Sequence, residues 1–219
     1  GAQCVLAASN AANLVEGAKA VAGAGGPEPM TIAGDLRTLA ACEQVFAKVN
    51  ERFKRCDVLV NNAGATKGGK FLDQPDDTWT DGFALKFHAA VRLTRAFWPL
   101  LKQAHGNIVN IIGGAVNAAM ANFAKGLTSM GNRDDININV IHPGQTQTDG
   151  VEQLFAQFAK AQNKTVEQIR DEALVKSGLR RIGQPEDVAE LALFLCSARA
   201  RHIQGTAIAV DGGGTPGYY

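Results

Sequence analysis

Charge of one sign is missing from this chain. Its 22 basic and 21 acidic side chains nearly cancel, and no run of like charge stands out. That removes the electrostatic basis for gripping nucleic acid or an acidic membrane surface, so a small-molecule partner is expected. Long apolar runs are missing too: none approaches the ~20 residues that span a bilayer. The opening residues, GAQCVLAASN, lack the charged and apolar regions of a signal peptide, which leads us to expect a cytoplasmic protein. Cysteine is sparse and scattered: Cys4, Cys42, Cys56 and Cys196 show no CxxC spacing. A zinc site or redox pair is therefore not expected, and buried, reduced thiols are. Tyrosine is nearly absent, with only Tyr218 and Tyr219 at the end of the sequence. No repeat, low-complexity tract or linker interrupts the 219 residues. A single domain burying ~70–75% of its unfolded surface is expected.

What is present is alternation. Short apolar runs at residues 3–8, 30–33, 57–61, 107–112, 136–141 and 206–210 are separated by longer stretches of helical spacing. Strands alternating with helices point to an α/β fold with a doubly wound parallel sheet. Apolar residues on consecutive positions imply strands buried on both faces. Leu39, Cys42, Val45, Phe46, Val49 and Phe53 recur at helical spacing, as do Val188, Leu191, Ala192 and Leu195 after the cap-like Gln184-Pro185-Glu186-Asp187. These stripes are core. Trp79 and Trp98 read as packing anchors, and His88 and His142 as structural. Residues 150–178 carry two amphipathic pieces where a plain crossover needs one helix, so we expect a substrate lid there.

Ligands of open parallel sheets bind beyond the carboxyl ends of the strands, so the residues just after each apolar run carry the functional information. After the third run come Asn61, Asn62, Ala63 and Gly64: amides for hydrogen bonding, then small residues that let a flat group approach the backbone. After the fifth come His142, Pro143 and Gly144, then Thr148 with a hydroxyl near a helix start. After the second come Gly34, Asp35 and Leu36, the acid suited to an exocyclic amine.

In this order and spacing these motifs resemble the short-chain dehydrogenase/reductase family over nearly the whole chain. The resemblance rests on NNAG at residues 61–64, on Asp35, and on NVIHPGQTQT at residues 139–148. It extends to GQPEDVAELALFL at residues 183–195 and IQGTAIAVDGG at residues 203–213. It implies a single Rossmann-type domain, a nicotinamide cofactor, hydride transfer between that cofactor and a small carbonyl or alcohol, and a homotetramer or homodimer. It places Asp35, Leu36, Asn62, Ala63, Gly64, Pro143, Gly144 and Thr148 at the cofactor.

The departures from the family pattern are as informative. The family opens with a strand, a TGxxxGxG turn and a helix whose amides hold the pyrophosphate. Here GAQCVLAASN looks like the family's second strand, so roughly thirty residues, one strand-turn-helix unit, are expected to be missing before it. The glycines at 23, 25 and 26 follow a helix, and those at 212, 214 and 217 precede the chain end, so neither set is that turn. A second gap, of about a dozen residues, is expected between Gly113-Gly114 and Ala115, where a strand runs too directly into the family's long active-site helix. The family's catalytic set is Asn, Ser, Tyr and Lys. The tyrosine position would lie in that gap, and Gly113 falls near the serine position. Asn117 stands where the lysine should be, and Lys86 where the asparagine should be. Lysine and asparagine look exchanged, so Lys86 and Asn117 are the catalytic candidates, with Lys86 supplying the ammonium that Asn117 cannot. At the end of the first run, Ser9 and Asn10 replace the acid that would exclude a 2′-phosphate. NADP is therefore expected over NAD. The competing reading is a catalytically degenerate NAD(P)-binding sensor or scaffold; an unrelated flavodoxin-like domain would need a phosphate loop that the sequence lacks.

Overall fold

The structure is a computed structural model that describes residues 1–64, 71–113 and 117–215. Its six strands are β1 (Val5–Ala8), β2 (Met30–Ala33), β3 (Val58–Asn61), β4 (Asn107–Ile111), β5 (Asn137–Pro143) and β6 (Ala207–Val210). They match the six apolar runs of the sequence. Helices α1 (Ala11–Gly23), α2 (Leu39–Phe53), α3 (Asp76–Gly82), α4 (Ala89–Ala104), α5 (Asn117–Gly126), α6 (Thr128–Asp134), α7 (Asp149–Gln162), α8 (Val166–Ser177) and α9 (Pro185–Leu195) connect them. This is the α/β, Rossmann-type arrangement of parallel strands and crossover helices. β1 pairs β2 in parallel, from Val5 opposite Met30 to Ala8 opposite Ala33. β3, β4, β5 and β6 form a four-stranded sheet in that order, with β5 and β6 parallel.

The residues group into two compact units. The first, residues 1–108 with 132–136, holds β1 to β3 and α1 to α4. Two of its helices, α1 and α2, begin where the sequence supplies caps: Asn10 Oδ1 accepts from the Ala12 amide at 2.8 Å, and Thr38 Oγ1 from the Ala41 amide at 3.2 Å. α2 turns Cys42, Val45 and Val49 inward, and Phe46 meets Phe97 of α4 edge to face. Trp98 anchors differently from a purely apolar residue. Its Nε1 donates to buried Asp134 at 2.9 Å, and Lys102 and Arg133 donate to the same carboxylate. That crowd of donors holds Asp134 far below the usual carboxylate range.

Burial on both faces holds for β4, whose first four residues are buried, but not for β3. Val58 and Val60 are 40% and 46% exposed, whereas Asn61 is buried and donates to Thr94 Oγ1 of α4. One face of β3 packs on α4, and the face carrying Val58 and Val60 is left exposed.

The second unit, residues 109–131 with 137–219, holds β5, β6 and α5 to α9 apart from the end of α6. Buried Val109, Ile141, Val188, Leu195 and Ala200 form one core cluster in it. Residues 150–178 form α7 and α8, which pack through Phe155, Ala159 and Ile169 against Ile182. A Thr165/Gln168 capping box starts α8, and Gly178, at φ 65°, ends it. The long helix expected from residue 115 is two shorter ones. The Leu127 amide bonds to both Phe123 O and Ala124 O, tightening the turn after Gly126 and separating α5 from α6. The proposed gap before Ala115 falls at residues 114–116, outside the described residues.

Candidate active site

In the first unit the site is built from the carboxyl ends of three strands. β1 delivers exposed Ser9 and Asn10. Asn10 spends its Oδ1 on capping α1, which leaves its amide group as the donor. β2 delivers Asp35, where the structure adds a partner the sequence did not announce: Oδ1 accepts from both the backbone amide and the guanidinium of Arg37, each at 3.1 Å. Arg37 is itself held from α4, since Arg92 Nη1 donates to its carbonyl at 2.6 Å. An acid and a base two residues apart after a strand permit this clasp, but only the turn geometry brings them together. Leu36 is buried, so only its backbone can face a ligand, and its carbonyl accepts from the Cys42 thiol.

β3 delivers Asn62, Ala63 and Gly64, with Asn62 and Gly64 exposed. Lys86 reaches this loop. It lies on a six-residue π-helix, Phe83–His88, inserted between α3 and α4. π-Helical turns are rare and interrupt the regular phase of a helix, commonly at functional positions. Within the turn Phe83 and Phe87 meet edge to face, 6.4 Å between centroids, and Lys86 is half-buried. A Cβ placed on Gly64 would lie 3.1 Å from Lys86 Cε, 3.3 Å from Cδ and 3.3 Å from Nζ. The lysine stem therefore lies across the face of the glycine. Burial pulls the Lys86 ammonium below the ordinary lysine pKa. The π-turn was not legible beforehand, because it is a backbone insertion without its own residue signature.

The second unit holds Asn117 at the first position of α5, Pro143 at the end of β5, Gly144 just beyond it, and Thr148. Thr148 caps α7, accepting from the Val151 amide at 3.4 Å, as its place before a helix start suggested. Gly144 has a structural reason of its own. A Cβ there would lie 2.7 Å from both Cα and Cβ of Asp211, and the Gly144 amide donates to Val210 O at 3.0 Å. Only glycine lets the ends of β5 and β6 close to this distance. His142 is buried in β5, and desolvation lowers its pKa against the opposing pull of Asp211.

Beside these strand ends lies an open pocket of about 890 Å³, lined among others by Gln145, Arg181, Asp187, Asp211 and Gly213. Arg181 grips Asp187 through two nitrogens, at 2.7 and 2.8 Å, and Asp187 accepts from the Gln184 amide; together they pull that carboxyl down to about 2. Among the described residues no group of three or more His, Cys, Asp or Glu could hold a metal ion, and no helix is long and apolar enough to cross a membrane. None of the four cysteines is in a disulfide. Burial pushes Cys56 and Cys196 up to about 11, which makes them poor nucleophiles.

Residues 1–215 match the family model described as Enoyl-(Acyl carrier protein) reductase. The 3-oxoacyl-[acyl-carrier-protein] reductase FabG of Thermotoga maritima is 30% identical over 185 residues, covering 78% of this chain and 71% of that protein. An uncharacterized oxidoreductase of Bacillus subtilis, YvaG, is 27% identical over 197 residues, covering 82% of this chain and 73% of that protein. Among solved structures, L-sorbose reductase from Gluconobacter frateurii, complexed with NADPH and L-sorbose, superposes with a TM-score of 0.92 at 27% identity, covering 100% of this chain and 89% of that one. With the family model spanning almost the entire sequence, the strand-end loops and the parallel sheet have a common explanation: the chain belongs to the short-chain dehydrogenase/reductase family of oxidoreductases.

Proposed function

We propose that this chain moves a hydride between NADP and a small, largely apolar carbonyl or alcohol, with Lys86 and Asn117 as its catalytic residues. The observation that carries the reading is Lys86 lying against Gly64 of the NNAG loop. An ammonium on a helix has been brought to the loop where the family resemblance puts the nicotinamide.

The residues present fit such a cofactor. Exposed polar groups stand at the ends of β1, β2 and β3 within one unit, and a glycine that lacks a Cβ ends the third loop. Ser9 and the Asn10 amide would donate to a 2′-phosphate, with no carboxylate at that strand end to repel it. The second oxygen of Asp35 and the Leu36 backbone would face the adenine. Asn62, Ala63 and Gly64 would border the nicotinamide half, and the family resemblance assigns Pro143, Gly144 and Thr148 to the cofactor as well. When bound, the cofactor supplies or accepts the hydride.

The chain's own residues would do the rest. The Lys86 ammonium, partly removed from water, would donate hydrogen bonds toward a substrate oxygen and favour the negative charge that builds there as a carbonyl is reduced. Asn117 is the second catalytic candidate, on its place in the sequence pattern alone. α7 and α8 would form the lid. Leu154 and Phe158, one turn apart on α7, are 41% and 46% exposed, a surface suited to an apolar substrate. Two relatives support carbonyl reduction by name: the sorbose reductase structure holds NADPH and L-sorbose, and FabG is a 3-oxoacyl-[acyl-carrier-protein] reductase.

The test pairs calorimetric titration of NADPH and NADH with absorbance at 340 nm over a panel of ketones, aldehydes and alcohols. Tighter NADPH binding with turnover is expected. Binding without turnover of any substrate favours the sensor reading, and binding of neither nucleotide removes both. A cytoplasmic homotetramer or homodimer is the expected form, which sedimentation of the purified protein measures.

A further inference from the structure

Gly64 carries no conformational reason to be glycine: its φ lies outside the left-handed region, so an alanine would fit its backbone. Its reason lies in its neighbours. The three heavy atoms nearest to a Cβ at this position are Cδ, Cε and Nζ of Lys86. All are closer than ordinary van der Waals contact, and all belong to the far end of one flexible side chain.

We infer that Gly64 is a positioning residue for Lys86: the missing Cβ is the channel through which the lysine stem reaches the strand-end loop. The π-helix Phe83–His88 sets the direction of that reach from one side, and Gly64 gives it room on the other. An added methyl group is accommodated by the part that can move. That part is the lysine and not the loop backbone, because the crowded atoms are the terminal methylenes and the amine. Displacement turns Lys86 outward, away from the half-buried setting that depresses its basicity. The catalytic consequence rests on the reading of Lys86 as the working ammonium; the packing itself does not.

Two measurements keep these apart. The first needs neither cofactor nor substrate: the purified chain is treated with acetic anhydride over a range of pH, so that the rate per unprotonated amine is separated from the amine's pKa, and this rate at Lys86 is followed by mass spectrometry against an exposed internal reference such as Lys125. In Gly64→Ala the rate at Lys86 is expected to rise at least threefold relative to that reference, with the fold intact by circular dichroism. An unchanged rate overturns the inference. Should Gly64→Ala fail to fold, the double variant with Lys86→Ala, which withdraws the crowding atoms, is expected to restore folding. A double variant that also fails to fold places the conflict elsewhere and overturns it as well. The second measurement is turnover. With Gly64→Ala showing increased Lys86 labelling, a fall of tenfold or more in kcat at unchanged NADPH affinity links position to catalysis. Increased labelling with wild-type kcat leaves the packing standing and removes the catalytic reading of Lys86.

Discussion

Replacing Gly144 with alanine tests the most constrained contact at the strand ends. The added Cβ would sit 2.7 Å from Asp211 Cα and 2.7 Å from its Cβ. Neither atom is the end of a flexible side chain, and Asp211 is fixed further by bonds from the Gly213 and Thr215 amides to its carboxylate. The strain must be relieved by separating β5 from β6, which costs the Gly144 amide its bond to Val210 O. Overpacking of this kind costs about 1–3 kcal/mol, and a lost backbone hydrogen bond adds about 1 kcal/mol. At about 2–4 °C per kcal/mol for a chain of this length, the thermal midpoint should fall by roughly 4–16 °C. Urea unfolding should show a lower midpoint at unchanged slope. Gly150→Ala is the control, since the one neighbour of its added Cβ is the Thr148 hydroxyl at 4.0 Å; it should leave the midpoint unchanged or raise it. A Gly144→Ala variant with wild-type stability and weakened nucleotide binding would refute the packing account and make Gly144 primarily a ligand contact.

Other expectations follow from single features. Asp134 has a folded pKa below its unfolded value, so its contribution to stability is present above about pH 4 and is lost as pH falls below that. Asp134→Asn should therefore lower stability at pH 7 and narrow its difference from wild type toward pH 2–3, measured by urea midpoints across pH; a constant difference contradicts this. Phe155→Ala empties the core between α7 and α8, where Phe155 is 4% exposed, and should cost about 3–5 kcal/mol in the unfolding of that region. Hydrogen exchange confined to residues 149–182 reads it. Ser9→Asp introduces a carboxylate at the end of β1 and should raise the KM for NADPH at least tenfold while that for NADH stays level or falls; an unchanged preference would mean that this strand end does not meet the 2′-phosphate.

Much of the fold was legible because strand burial writes itself into consecutive apolar residues, and all six runs became strands. The sequence misled where local pattern and tertiary cover diverge. Val58 and Val60 read as doubly buried, yet one face of β3 is open, since apolar character reports what a residue favours and not whether a helix covers it. Leu36 took its place as a cofactor neighbour from motif position alone, while its side chain belongs to the core. At the site, Thr148 as a helix cap was readable from residue type and spacing. The Arg37 clasp on Asp35, the closeness of Asp211 to Gly144 and the π-turn were not. The clasp depends on a turn geometry and the strand contact on residues 67 positions apart, and the π-turn depends on a backbone insertion that leaves side-chain periodicity nearly unchanged.

The central claim is that Lys86, held against Gly64, supplies the charge that the altered catalytic positions otherwise lack. Its direct test is single-turnover hydride transfer by Lys86→Met, a variant that keeps the stem and removes the ammonium, at saturating NADPH with nucleotide affinity measured in parallel. The account predicts at least a hundredfold slower transfer, about 2.7 kcal/mol of lost transition-state stabilisation, with NADPH affinity within a few-fold of wild type. Transfer at the wild-type rate with NADPH bound would contradict it.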